Sequence, residues 1–241
     1  MTTWVENPTG GRERGPRGLA RAWIEILRRP RRFFANGVAP GDQAPGLTFA
    51  VSVALVYVAT RFAFLPSARP AFFANEAASV GVGLLVAALI IAPVALHLVA
   101  ALEVVILIAV VRDRAGVSET VQVIGYATAP MALAGVGVPP ALADVALLPE
   151  VVAAWRLGLA LWGAGLLWYG MATVHDTSLV RAGVAVALPA VIVFGYLFGG
   201  VFAFETLTGI EVADTTPPTG AGTAASGDME TQLVGGREPR P

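Results

Sequence analysis

The sequence predicts an all-α, polytopic membrane protein: a bundle of five transmembrane helices preceded by an amphipathic interfacial helix. Three observations carry this expectation. Long apolar segments follow one another between Leu47 and Phe204. The chain of 241 residues is 56% hydrophobic but only 14% charged, whereas a soluble domain carries about 25% charged residues. Finally, Arg12, Arg14, Arg17, Arg21, Arg28, Arg29, Arg31 and Arg32, half of the 16 basic residues, precede the first apolar segment. Apolar length makes lipid the solvent for most of the chain. The arginine cluster sets the orientation, with the N-terminus in the cytoplasm and the C-terminus outside a cell membrane.

The same composition excludes several chemistries. Cysteine and lysine are absent, so no disulfide, thiolate metal site, Schiff base or Walker-type lysine is available. No H-E-x-x-H, G-x-S-x-G or dinucleotide fingerprint is present. No catalytic residue, cofactor, metal site or nucleic-acid partner is expected. The first apolar segment begins near residue 47, beyond the usual signal-peptide window of roughly 15–30 residues, so a cleavable signal is not expected.

Each element has its own justification. Residues 1–16 are rich in Gly, Pro and Thr and read as disordered. In 17–34, Leu19, Trp23, Ile26, Leu27 and Phe34 recur at helical spacing between arginines. Such a helix lies at the membrane interface, its apolar face in lipid and its arginines at anionic headgroups. Membrane-surface binding is therefore assigned to Trp23, Arg21, Arg28, Arg29, Arg31 and Arg32, with Pro30 ending or kinking the helix. A positive-inside signal with no further role explains the arginines equally well.

The first span is expected over 47–65. The second stretch, 80–111, would reach about 48 Å as a helix, more than a hydrocarbon core of about 30 Å. It reads as one tilted helix kinked at Pro93, its early part interfacial; a re-entrant segment before Pro93 is the alternative. The third span, 120–138, is the weakest, because it contains Gln122, Thr128, Pro130 and three glycines. The fourth, 151–174, carries Trp155, Trp162, Trp168 and Tyr169, as interfacial belts require. His175–Ser178 reads as a tight surface loop, and the fifth span covers 179–204. Residues 212–241 read as a disordered acidic tail.

Several of these features, in this order, resemble the Yip-one family of Rab-GTPase-interacting membrane proteins, in a prokaryote-like form. The residues concerned are Trp23-Ile24-Glu25-Ile26-Leu27-Arg28-Arg29-Pro30 with Phe33-Phe34, then a long second span and a polar turn before Val123-Ile124-Gly125-Tyr126-Ala127-Thr128-Ala129-Pro130. Trp162 to Trp168, His175-Asp176-Thr177-Ser178 and the final span complete the series. The resemblance covers about residues 17–205 and implies a cytoplasmic N-terminus, five spans and a Yip-like membrane domain over 47–205. The chain does not have the long soluble N-terminal region of the eukaryotic members, so Rab binding does not transfer.

Ionisable groups inside spans cost on the order of 2.5–3.5 kcal/mol at a helix centre, which makes each a candidate site. There are three: Arg61, His97 and Glu103. At 1.5 Å per residue, Arg61 lies about 21 Å, His97 about 22 Å and Glu103 about 13 Å from the inner edge. Arg61 is expected to snorkel to the outer headgroups. Tyr126, about 9–10 Å deep, is near enough in depth to give Glu103 a hydrogen bond. Glu103, Tyr126 and His97 thus form a candidate polar lock or proton relay. His97 and Glu103 are about 240° apart around the helix and share no face, so they form no metal pair. Gly183, Ala187, Gly195 and Gly199, spaced at multiples of four, would let helices approach closely, either within the chain or in a homodimer.

The expected function is non-enzymatic: a membrane-organising protein whose basic helix engages the inner leaflet or a cytoplasmic or membrane protein partner. The alternative is a small transporter or channel using Glu103 and His97.

Overall fold

The computed structural model describes residues 15–112 and 114–212. The segments expected to be disordered, 1–16 and 212–241, lie almost wholly outside these. Residues up to Ile210 belong to one unit; of the second, only Glu211 and Val212 are described. All regular elements among the described residues are helical.

The arginine-interleaved segment forms two helices, α1 (Pro16–Arg28) and α2 (Pro30–Asn36). The chain breaks at Arg29 because Pro30 has no N–H with which to continue the ladder. Gly18, Ala22 and Ile26 of α1 and Phe33 and Phe34 of α2 are buried. Of the residues expected to face lipid, Ile26 and Phe34 are buried, and Leu19, Trp23 and Leu27 are partly buried against the protein core.

The next helix, α3 (Ala44–Phe64), is 21 residues long. The second apolar stretch is one unbroken helical rod from Glu76 to Val110, 35 residues, so it is not re-entrant. It consists of α4 (Glu76–Val86), a π turn (Ala87–Ile91) and α5 (Ala92–Val110). The wide turn lies just before Pro93, whose ring would otherwise press on the preceding turn.

The third segment departs most from expectation. It is a short helix, α6 (Val117–Ala127), then a 3₁₀ segment (Ala129–Leu133) in place of an unbroken span over 120–138. Pro130 and the glycines explain the break. Every residue from Thr120 to Ala127 is buried. The chain then enters α7 (Leu148–Val174) and α8 (Leu179–Ala190), which runs on as a second π segment (Val191–Leu197). The fifth expected span is interrupted at Gly199, whose φ of +77° is left-handed, before α9 (Gly200–Thr208).

Among the described residues, four helical rods are long and apolar enough to cross a membrane: 44–64, 76–110, 148–174 and 179–197. Their outer faces are apolar, with Leu89 72% and Leu98 66% exposed. In water such a surface would aggregate; in lipid it is the favoured one.

The third segment lies parallel to α3 for its whole length. At one end, a Cβ on Gly46 would stand 2.5 Å from Gln122 Cα. At the other, a Cβ on Gly137 would stand 2.7 Å from Leu65. The end holding Ala44 and Val117 also holds the α7–α8 loop; the opposite end holds the close of α3 and the start of α7.

Candidate functional site

Of the candidate residues, Tyr126 lies on α6, whose residues from Thr120 to Ala127 are all buried. Tyr126 is fully buried, and its ring is met edge-on by Phe33 at 4.9 Å and Phe49 at 5.4 Å between centroids. Edge-to-face pairs of this kind add about 0.5–1.5 kcal/mol each beyond burial. They tie α2 and α3 to α6.

Glu103 is fully buried in the inward stripe of α5, with Leu96, Val99, Ala100 and Leu107. Neither of its carboxyl oxygens has a hydrogen-bond partner among the described residues. The expected Tyr126–Glu103 hydrogen bond is therefore not made. Depth along the bundle brought the two residues close in expectation, but equal depth alone does not bring a donor within reach of an acceptor. His97 is exposed on the outer side of α5, and its Nδ1–H donates to the Pro93 carbonyl at 2.7 Å. It completes no polar path with Glu103. Among the described residues no three His, Cys, Asp or Glu side chains cluster as metal ligands would.

Two polar anchors went unread in the sequence. Gln122, which made the third span look weak, is buried and clamps one peptide unit. Its Oε1 accepts from the Ala39 N–H at 3.1 Å, and its Nε2 donates to the Ala39 carbonyl at 2.6 Å. This pair fixes the connection from α2 to α3. The second anchor is His175, expected in a surface loop but only 1% exposed. Its Nε2 lies 3.2 Å from Thr120 Oγ1, and its Nδ1 is buried without a hydrogen-bond partner among the described residues. Burial holds its pKa below the ordinary 6.5; Glu119 opposes this and Arg114 reinforces it. A polar residue ending a helix next to Thr120 was the available signal, but sequence spacing does not reveal a contact 55 residues away.

The basic helices are positioned by contacts with this core. The Trp23 indole N–H donates to the Ala129 carbonyl at 2.7 Å, which turns Trp23 toward the bundle. Leu19 shares a cavity wall with Val56 and Leu133, so α1 climbs the flank of the bundle. Arg28, Arg29, Arg31 and Arg32 stay exposed at the Pro30 elbow, and Arg21 is exposed on the flank. Arg32 approaches Glu25 at 4.0 Å.

The glycine series does not make one stripe. Gly183 lies against the Trp168 ring of α7, where a Cβ would stand 3.2 Å from it. Ala187 is exposed, Gly195 lies in the π segment, and Gly199 is in the break. The π turn changes the angular step per residue, so a four-residue spacing no longer holds one face. Close backbone approaches occur elsewhere, at Gly125 with Gly46 and at Gly135 with Tyr57, and Gly163 receives the Phe194 ring.

Comparison with protein-family models matches the Yip1 domain over residues 24–201. No curated protein and no solved structure matches the chain.

Proposed function

The chain belongs to the Yip1 domain family of multi-pass membrane proteins, and from that premise we propose that it is a non-enzymatic organiser that presents a fixed basic elbow at the inner face of a cell membrane. The observation that carries this reading is the docking of α1 and α2. Ile26, Phe33 and Phe34 are buried in the bundle while Arg28, Arg29, Arg31 and Arg32 point outward. A helix pair held this way offers its charges at a constant position, which suits the capture of anionic headgroups or an acidic protein segment.

Five crossings fit this reading. The parallel path of 117–137 beside α3 supports counting it as a crossing, although its α-helix, α6, has only 11 residues. Because Thr120–Ala127 meets only protein, it does not need a lipid-compatible surface. With five crossings, the elbow and Arg112, Arg114 and Arg181 share the inner side, and the C-terminus lies outside.

The test is purification of the intact protein in mild detergent after crosslinking in cells. The comparison is a variant with Arg21, Arg28, Arg29, Arg31 and Arg32 changed to Gln, its topology checked by reporter fusions at both termini. A defined protein partner lost only in the variant is the expected result. Identical partners in both preparations, or none in either, would overturn the organising role.

A further inference from the structure

At the end of the bundle away from the basic elbow, two cavities adjoin. One, of about 310 Å³, is lined by Arg61, Arg156, Tyr196 and Phe202. The other, of about 150 Å³, is a side cleft with an apolar wall that includes Ala54, Ile91, Val193 and Leu197. Tyr57, Val58 and Leu197 line both. A chamber carrying two arginines therefore adjoins an apolar slot.

The two arginines are under-satisfied. The Arg61 guanidinium lies over the Tyr57 ring, 5.9 Å from its centroid. Arg156 Nη2 reaches the Phe198 carbonyl only at 3.5 Å, and that oxygen already accepts from Tyr57 Oη at 3.1 Å. Arg156 Nε is buried without a hydrogen-bond partner among the described residues. Among the described residues neither arginine has an ion pair, whereas Arg69 at the same end is paired with Glu76. Two cations beside an apolar slot are costly unless an anion joins them. Planar guanidinium groups match phosphate oxygens in geometry as well as charge.

The slot has a second distinguishing feature. Both π segments among the described residues, Ala87–Ile91 and Val191–Leu197, contribute to its wall. Such turns are rare and concentrate at functional sites. In addition, Gly199 brings the backbone against Arg156, where a Cβ would stand 2.5 Å from Nη2.

We propose that this is a binding site for a phosphate-bearing lipid. The phosphate sits between Arg61 and Arg156, and one acyl chain occupies the slot along Leu197, Val193 and Ile91. The ligand chemistry is thus a phosphate monoanion or diester attached to an alkyl chain, taken from the leaflet where α3 ends.

The test uses the full-length protein in maltoside micelles, with thermal unfolding followed against three probes. These are dioleoyl phosphatidylglycerol, dioleoylglycerol with the same chains and no phosphate, and glycerol phosphate with no chains. Saturable stabilisation by the phospholipid alone is expected. In R61Q and in R156Q its apparent affinity should fall about tenfold or more, as for loss of a charge-assisted bond. Arg156 is part-buried, so a poorly folded R156Q would be replaced by A54F, which fills the slot and leaves both cations; it should weaken binding as well. R69Q should leave binding unchanged. Equal stabilisation by dioleoylglycerol, or undiminished phospholipid binding in R61Q and A54F, would overturn the site. Equal stabilisation by glycerol phosphate would overturn the lipid as occupant in favour of a soluble phosphate.

Discussion

Gly125 faces Gly46 so closely that a Cβ on Gly125 would stand 2.5 Å from the Gly46 carbonyl oxygen. The backbones of α3 and α6 touch there with no side chain between them. We predict that Gly125→Ala pushes the two helices apart and costs about 1–3 kcal/mol, the usual penalty for overpacking. Thermal unfolding in detergent measures it. Gly158, with open space around its Cβ position, is the control, and Gly158→Ala should be neutral or slightly stabilising. Equal effects at the two positions would show that α3 and α6 can separate freely.

Gln122 answers to a different physical rule. Changing it to Leu keeps the bulk but strips the Ala39 N–H and carbonyl of their partners. Each buried group left unpaired costs about 1–3 kcal/mol. We predict a loss of that order, with faster amide exchange at Ala39 and Gly41. An unchanged melting point would mean that water replaces the clamp.

For Glu103 the expected sign is reversed. Its carboxyl is fully buried and makes no hydrogen bond among the described residues. Glu103→Met should raise stability by about 1–3 kcal/mol by removing an uncompensated polar group. If Glu103→Met destabilises the protein, the carboxyl has a partner, such as an ordered water or a bound ion, that Met cannot replace.

His175 makes part of the stability depend on acid. Its folded pKa is lowered, chiefly by burial, so the unfolded chain binds its proton more readily. Stability is therefore unaffected well above pH 6.5 and falls as pH drops below that ordinary value, levelling off only below the depressed folded pKa. Melting points from pH 8 to pH 5 should show a downward slope that is shallower in His175→Gln. Parallel slopes in the two proteins would place the acid sensitivity in other groups.

The sequence made the long rods readable because apolar length reports the solvent directly. It predicted the stretch 80–111 as one long helix, tilted or kinked at Pro93, and Pro30 as an end or kink in the basic segment; the single long helix is found, with a π turn just before Pro93, and so is the break before Pro30. It did not reveal neighbours. Glu103 and Tyr126 were matched by depth, but hydropathy carries no rotation about the bundle axis. Gln122 and His175 looked like weaknesses or surface because their partners lie 83 and 55 residues away. The four-residue glycine spacing failed for a local reason: a π turn and a left-handed Gly199 intervene, and neither shows in a residue count.

The complete enclosure of Thr120–Ala127 bears on how the protein is made. A segment carrying Gln122, Thr120 and Thr128 partitions weakly into lipid alone, since it is surrounded in the finished fold by other helices and not by acyl chains. Its entry should then depend on earlier synthesis of α3 and α5, which offer it a protein-lined berth. We predict that residues 114–138 fused alone behind a reporter insert poorly, whereas a fusion of residues 1–138 carries the reporter across. Efficient insertion of the isolated segment would show that it needs no such reception.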